Sequence, residues 1–138
     1  MRVDHVDLTN PDDFEGLREE HLDTVFCSNV LEHLEPDEEV LSSFFRILAP
    51  GGHCVIVVPA GPRLYTGLDR ALGHHRRYTA GQLRERMEAV GFEIVFSRRF
   101  NRLGALAWFV SGRLFGRDHL SPRQMIWFDR LLPLVKLL

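Results

Sequence analysis

At 138 residues, the chain is long enough for one domain with a buried core, and no internal repeat or linker divides it. Its composition is ordinary for a soluble globular protein, and Cys27 and Cys54 lack metal-ligand spacing, which predicts reduced thiols and a cytoplasmic location. The formal net charge of −2 hides an asymmetry, because residues 1–59 hold 13 acids and 3 arginines, whereas residues 60–138 hold 14 bases and 6 acids.

The first half of the chain predicts three strands and a helix. Val3–Leu8 alternates in polarity and predicts a short strand, and a weak helical pattern follows over residues 12–22. Asp23–Ser28 is nearly continuous in apolar character, as expected of a strand buried in a parallel sheet. Pro36 opens a predicted helix, and His53–Val58 predicts the next strand. The apolar stripe of that helix is formed by Val40, Leu41, Phe44, Phe45 and Leu48.

The second half begins with a loop over residues 60–78, a length that often carries function in a compact domain. Thr79 predicts a capping box with Gln82 at the start of a helix that ends at Gly91. Leu83, Met87 and Val90 line one face of that helix. Phe92–Phe96 predicts a fourth strand, and residues 101–138 predict a helical extension whose apolar run is too short to span a bilayer. This order predicts an α/β fold with a mostly parallel sheet flanked by helices.

Polar side chains follow the point where the Asp23–Ser28 strand should end. Asn29 comes first, and Glu32 and His33 stand in the short turn before the next helix. In open α/β sheets, ligands bind just outside the carboxyl ends of the strands. The sequence therefore places the mouth of a site at Asn29, Glu32 and His33.

Four segments occur in a characteristic order, namely DTVFCSNVLEHL from Asp23, RILAPGGHCVIVVP from Arg46, GHHRRYT from Gly73 and AVGF from Ala89. In wording and order they resemble class I S-adenosylmethionine-dependent methyltransferases, including the type 11 and type 12 domains. The resemblance covers roughly residues 1–100 and implies a partial Rossmann-like fold with S-adenosylmethionine as cofactor. It also implies methyl transfer to a small or lipid-like acceptor, with O-methylation as the favoured chemistry.

One departure from the family is a missing N-terminal glycine-rich cofactor loop, since no Gly-x-Gly occurs in this sequence. The chain is similar to about the C-terminal two-thirds of such a domain. Val3–Leu8 then lacks its usual neighbours, and exposed strand edges invite pairing with another chain. We expect a partial sheet of Asp23–Ser28 and His53–Val58, with the first strand beside it or loose. The missing loop also supports an alternative, a catalytically inactive interaction module.

Four residues match cofactor contacts in the family. Asp7 and Leu8 correspond to positions near the adenine, and Asn29 and Val30 to positions near the methionine end. The alternatives are that Asp7 is a solvated turn carboxylate and that Asn29 only caps the end of a strand.

Glu32, His33 and His74 are the predicted catalytic residues. His33 is expected to line the pocket, and His74 is a candidate general base because histidine titrates near neutrality. In some related O-methyltransferases a Glu-x-x-Glu-His segment binds a divalent metal, but Asn29 replaces the first Glu here. An amide oxygen is a weaker ligand than a carboxylate, so no metal is predicted. The alternative for Glu32 and His33 is that they support the turn.

Arg76, Arg77 and Tyr78 are the predicted substrate contacts, because paired arginines can hold an anionic group. The alternative is that the arginines pair with Asp69 or the acidic helix start, with Tyr78 packed under the loop. The arginine-rich second half and the C-terminal aromatic residues also predict peripheral contact with an anionic membrane surface, whereas nucleic acid is not an expected partner.

Overall fold

The fold comes from a computed structural model, which describes residues 5–100, 104 and 109. The predicted extension over residues 101–138 lies outside the described residues, apart from Gly104 and Phe109, which are helical. The elements in chain order are a 3₁₀ helix at Pro11–Phe14, α1 (Glu15–Arg18), β1 (Leu22–Ser28), a 3₁₀ helix at Leu31–His33, α2 (Asp37–Ile47), β2 (Leu48–Val57), a 3₁₀ helix at Pro62–Leu64, α3 (Gly67–Ala71) and α4 (Ala80–Ala89).

The strands β1 and β2 form a two-stranded parallel sheet, which confirms the predicted α/β class and the predicted pairing. Cys27 of β1 lies opposite Ile56 of β2. The second strand is longer than predicted, because it begins at Leu48 rather than at His53. Gly52 permits the close approach of the two strands, since a Cβ there would lie 3.0 Å from the Asp23 carbonyl oxygen.

The core lies between the sheet, α2 and α4. Helix α2 begins at Asp37, directly after Pro36. The acidic side chains of its first turn interact favourably with the positive end of the helix dipole. Met87 of α4 is buried, as predicted. Phe45 departs from the predicted stripe because it is 43% exposed, although its ring meets that of Phe92 edge-on at 5.0 Å. The buried side chains of α2 in this core are Val40, Leu41, Phe44 and Ile47.

Two predicted strands are wrong in the described part of the chain. His5–Leu8 is not a strand, because Asp7 folds into a turn in which its Oδ1 accepts a hydrogen bond from the Thr9 backbone N–H. Phe92–Phe96 forms no strand either, and Val95 is 81% exposed. Alternating side chains make a strand only where a neighbour pairs with the backbone, and no such neighbour exists among the described residues.

The predicted loop over residues 60–78 contains two elements that the sequence analysis missed, the 3₁₀ helix Pro62–Leu64 and α3. Thr66 and Asp69 form a capping box at the start of α3. The predicted capping box of Thr79 and Gln82 is confirmed at the start of α4. Among the described helices, none is long and apolar enough to span a membrane.

Candidate functional site

Asn29 turns the chain sharply at the end of β1. Its φ of 52° is left-handed, a conformation that asparagine adopts more readily than most residues. Its backbone N–H donates to the Val57 carbonyl at 2.9 Å, and its side-chain amide donates to Ser28 Oγ at 3.2 Å. The 3₁₀ helix Leu31–His33 follows at once. The turn thereby places Glu32 and His33 just beyond the carboxyl ends of both strands.

Glu32 is completely buried, and neither of its carboxylate oxygens has a hydrogen-bond partner among the described residues. Its backbone carbonyl accepts a hydrogen bond from the His75 N–H at 2.8 Å, which ties this turn to the loop after β2. Burying a carboxylate without a partner costs free energy. Glu32 therefore either interacts with a bound group or lowers the stability of the folded protein.

His74 lies between two buried carboxylates. Its Nδ1 is 3.0 Å from Asp69 Oδ1, and its Nε2 is 4.0 Å from Glu32 Oε1. Burial raises the pKa of Asp69, but hydrogen bonds from Arg77, Thr66 and His74 outweigh that effect and hold it below its usual value. An ionised Asp69 can only accept, so Nδ1 of His74 donates to it, and Nε2 is the ring nitrogen that faces Glu32.

His33 completes a compact group of side chains. Its Nδ1 lies 3.2 Å from the Gly73 carbonyl oxygen, which can only accept a hydrogen bond, and its ring meets that of His74 edge-on at 4.6 Å. One ligand atom from each of Glu32, His33 and His74 lies within 4.8 Å of the others. We call these three residues the Glu32–His33–His74 cluster. The structure thus brings together all three predicted catalytic residues, and their catalytic roles stay predictions.

The cluster opens onto a groove of about 1760 Å³ that runs along β2, α4 and residues 92–100. Six of the predicted site residues line this groove, and four do not. Those that line it are Asn29, Glu32, His33, His74, Arg77 and Tyr78. Those that lie elsewhere are Asp7, Leu8, Val30 and Arg76.

The predicted substrate residues have protein partners. Arg77 is buried, and its Nε donates to Asp69 Oδ1 at 2.7 Å. Arg76 Nη1 donates to Asp37 Oδ2 at 2.8 Å, and the hydroxyl of buried Tyr78 donates to the same oxygen at 2.9 Å. These are the contacts of the alternative that the sequence left open, and a role in substrate binding stays a prediction.

Asp69 is the site residue whose importance sequence reasoning missed, since it entered only as a partner for an arginine. Its signal is present in the sequence as Thr66-Gly-Leu-Asp69, the spacing of a capping box. In the structure, the Asp69 carboxylate caps α3, pairs with Arg77 and orients His74.

Comparison with known proteins decides the family. Residues 2–96 match the family whose model is described as a methyltransferase domain. The chain belongs to this methyltransferase family. Over 75 residues, which are 53% of the chain, it is also 35% identical to a Mycolicibacterium smegmatis protein described as a probable S-adenosylmethionine-dependent methyltransferase. That match covers 29% of the relative's length, and no solved structure gives a significant match.

Proposed function

We propose that this methyltransferase chain takes part in S-adenosylmethionine-dependent methyl transfer to the hydroxyl group of a small or lipid-like acceptor. The observation that carries the proposal is the Glu32–His33–His74 cluster at the carboxyl ends of β1 and β2. Family membership and the printed description of the relative support the cofactor.

The residues on the cofactor side are suitable for S-adenosylmethionine, which supplies an activated methyl group on its sulfonium. Asp7 is exposed, and two hydrogen bonds from Thr9 lower its pKa, so a carboxylate is available for amino or hydroxyl donors. Asn29 offers its amide at the end of β1, beside the groove. Asp7 lies outside the groove, so Asn29 is the predicted polar cofactor residue that the groove itself offers, and its amide suits the amino-acid end of the cofactor.

The cluster suits the acceptor side of the reaction. A hydroxyl group must lose its proton as its oxygen attacks the methyl carbon, and a positioned base assists that loss. Asp69 accepts from Nδ1 of His74, so Nε2 of His74 and the carboxyl group of Glu32 are the groups placed to take the acceptor's proton. Binding in a fixed orientation contributes the larger share, because an activated methyl group needs mainly in-line positioning.

The walls of the groove support an elongated acceptor. Val55, Met87 and Ile94 contribute apolar surface, and Arg84, Arg98 and Arg99 add positive charge. An apolar wall bordered by arginines suits a molecule with a hydrocarbon part and an anionic group.

A methyl-transfer assay tests the proposal. We would offer labelled S-adenosylmethionine with matched panels of long-chain alcohols, phenols, carboxylic acids and amines. We expect label in alkali-stable ethers, and a rate about 100-fold lower in His74→Gln, because a general base contributes at least that much. His75→Gln is the matched control, since the side chain of His75 is 43% exposed and does not line the groove. Label confined to alkali-labile esters or to amines would contradict the proposal.

One observation favours the alternative, an inactive interaction module. Phe26 of β1 lies opposite Val55 of β2, and these side chains are 68% and 43% exposed. Paired apolar side chains on an open sheet face suit a protein contact. A module of this kind would bind no S-adenosylhomocysteine, whereas the enzyme would.

A further inference from the structure

We propose that the Glu32–His33–His74 cluster is a binding site for a divalent transition-metal ion. The sequence analysis predicts no metal, because Asn29 replaces the acidic residue found in metal-binding relatives. The structure supplies a different third ligand. His74, from the loop after β2, reaches the turn that carries Glu32 and His33, and the three side chains converge within 4.8 Å.

The buried carboxylate of Glu32 is the first argument. It is completely buried, with no hydrogen-bond donor to either oxygen among the described residues. Among the described residues, the cationic candidate beside it is His74, but its Nε2 is 4.0 Å from Glu32 Oε1, beyond hydrogen-bond distance. A carboxylate in this environment is stabilised by a bound cation, which removes the cost of burying an unpaired charge.

The second argument is the orientation of the two imidazoles. The Asp69 carboxylate accepts from Nδ1 of His74, and the Gly73 carbonyl accepts from Nδ1 of His33. Metal-binding histidines almost always donate their other ring N–H to a carboxylate or a carbonyl, which fixes the tautomer and the ring. Both rings therefore turn Nδ1 toward an acceptor, which leaves Nε2 as the ring nitrogen available to a metal ion.

The third argument is distance and ligand type. Two ligands bound at about 2.1 Å to one ion lie at most about 4.2 Å apart. The separation of 4.0 Å between His74 Nε2 and Glu32 Oε1 is within that limit, and the 4.8 Å spread of the cluster needs only a small contraction. Two imidazoles and one carboxylate favour Zn²⁺, Co²⁺ or Mn²⁺ over Mg²⁺ and Ca²⁺, which prefer oxygen.

The metal site gives the cluster a specific part in catalysis, and this step rests on the proposed function. Three protein ligands leave a coordination position open to the acceptor hydroxyl, as in catalytic zinc sites. Coordination would lower the pKa of the acceptor hydroxyl, whose proton would leave to solvent as its oxygen attacks the methyl carbon and the carbon–sulfur bond breaks to release S-adenosylhomocysteine. His74 then assists loss of the hydroxyl proton through the metal that it binds, and the slower methyl transfer expected in His74→Gln follows from the loss of this ligand.

Cobalt binding tests the site without the cofactor or an acceptor. We would titrate the metal-free protein with Co²⁺, follow the visible d–d absorption, and displace the cobalt with Zn²⁺. We expect one Co²⁺ per chain, and affinity at least tenfold weaker in Glu32→Gln, His33→Gln and Asp69→Asn. His53→Gln and His75→Gln are controls, because both residues are exposed and lie outside the cluster.

The result that overturns the metal site is the absence of saturable Co²⁺ binding, or equal weakening in the control variants. His33→Gln guards against a folding artefact, because His33 is only partly buried and its variant is checked by circular dichroism. The two proposals fail separately. Loss of Co²⁺ binding leaves methyl transfer standing, and absence of methyl transfer leaves the cobalt spectrum unchanged.

Discussion

Arg77 Nε donates to Asp69 Oδ1 across 2.7 Å, and both side chains are more than nine-tenths buried. The same oxygen lies 3.0 Å from Nδ1 of His74. One carboxylate therefore joins the most buried ion pair among the described residues to the candidate catalytic cluster. Changes at this pair will affect both stability and the site.

Removing the Arg77 charge should destabilise the protein strongly. Arg77→Met keeps much of the bulk but leaves Asp69 without its buried cation, and breaking such a pair costs about 3–5 kcal/mol. Urea unfolding measures the loss. Arg18→Ala is the matched control, because its 3.1 Å contact with Glu15 is exposed and should contribute less than about 1 kcal/mol. Equal losses in the two variants would contradict this account.

Asp37 should make the protein sensitive to acid. Burial raises the pKa of Asp37, but hydrogen bonds from Tyr78 and Arg76 outweigh it and hold the pKa below its ordinary 3.8. A depressed pKa stabilises the folded state above pH 3.8, and that contribution is lost as the pH falls through the folded value. Stability should fall below about pH 4, and Asp37→Asn should flatten this fall. The exposed Asp12→Asn serves as control, and parallel pH profiles for all three proteins would sink the prediction.

Gly91 should not tolerate a side chain. Its φ of 111° is unfavourable for other residues, and a Cβ would come within 2.9 Å of the Phe45 ring. Gly91→Ala should cost about 1–3 kcal/mol. Gly16→Ala is the opposite case, since Gly16 lies in α1 with open space around it, and it should stabilise by up to about 1 kcal/mol. Thermal unfolding of both variants gives the comparison, and a stabilised Gly91→Ala would refute the predicted clash.

The two cysteines should react slowly in the folded protein. Both are free thiols, and burial raises the pKa of Cys27 and raises that of Cys54 to about 11. Only about one Cys54 thiol in a thousand is then a thiolate at pH 8. We expect iodoacetamide to label both cysteines far faster in urea than in buffer. Equal rates in the two solutions would show that the thiols are reactive in the fold.

The parts of the fold that local chemistry determines could be predicted from the sequence. The apolar run that forms β1, the acidic start of α2 and the capping box of Thr79 each appear in a few neighbouring residues. The segments where the predicted strands are wrong, His5–Leu8 and Phe92–Phe96, have suitable patterns too. A strand also needs a partner for its backbone, and the sequence of one segment carries no information about that partner.

The site was predictable residue by residue but not as a cluster. Glu32 and His33 follow a strand, and His74 lies in a long loop, so each was a candidate on its own. Their convergence depends on the loop after β2 folding back, through the His75 N–H that donates to the Glu32 carbonyl. The orienting role of Asp69 depends on the same long-range contact, which no local pattern shows.

The measurement that tests the central claim most directly is calorimetric titration of the protein with S-adenosylhomocysteine. The account predicts binding that is at least tenfold weakened by Asn29→Ala and unchanged by His75→Ala, whose side chain is exposed and lies outside the groove. Absence of binding would contradict the methyltransferase account and favour the interaction module.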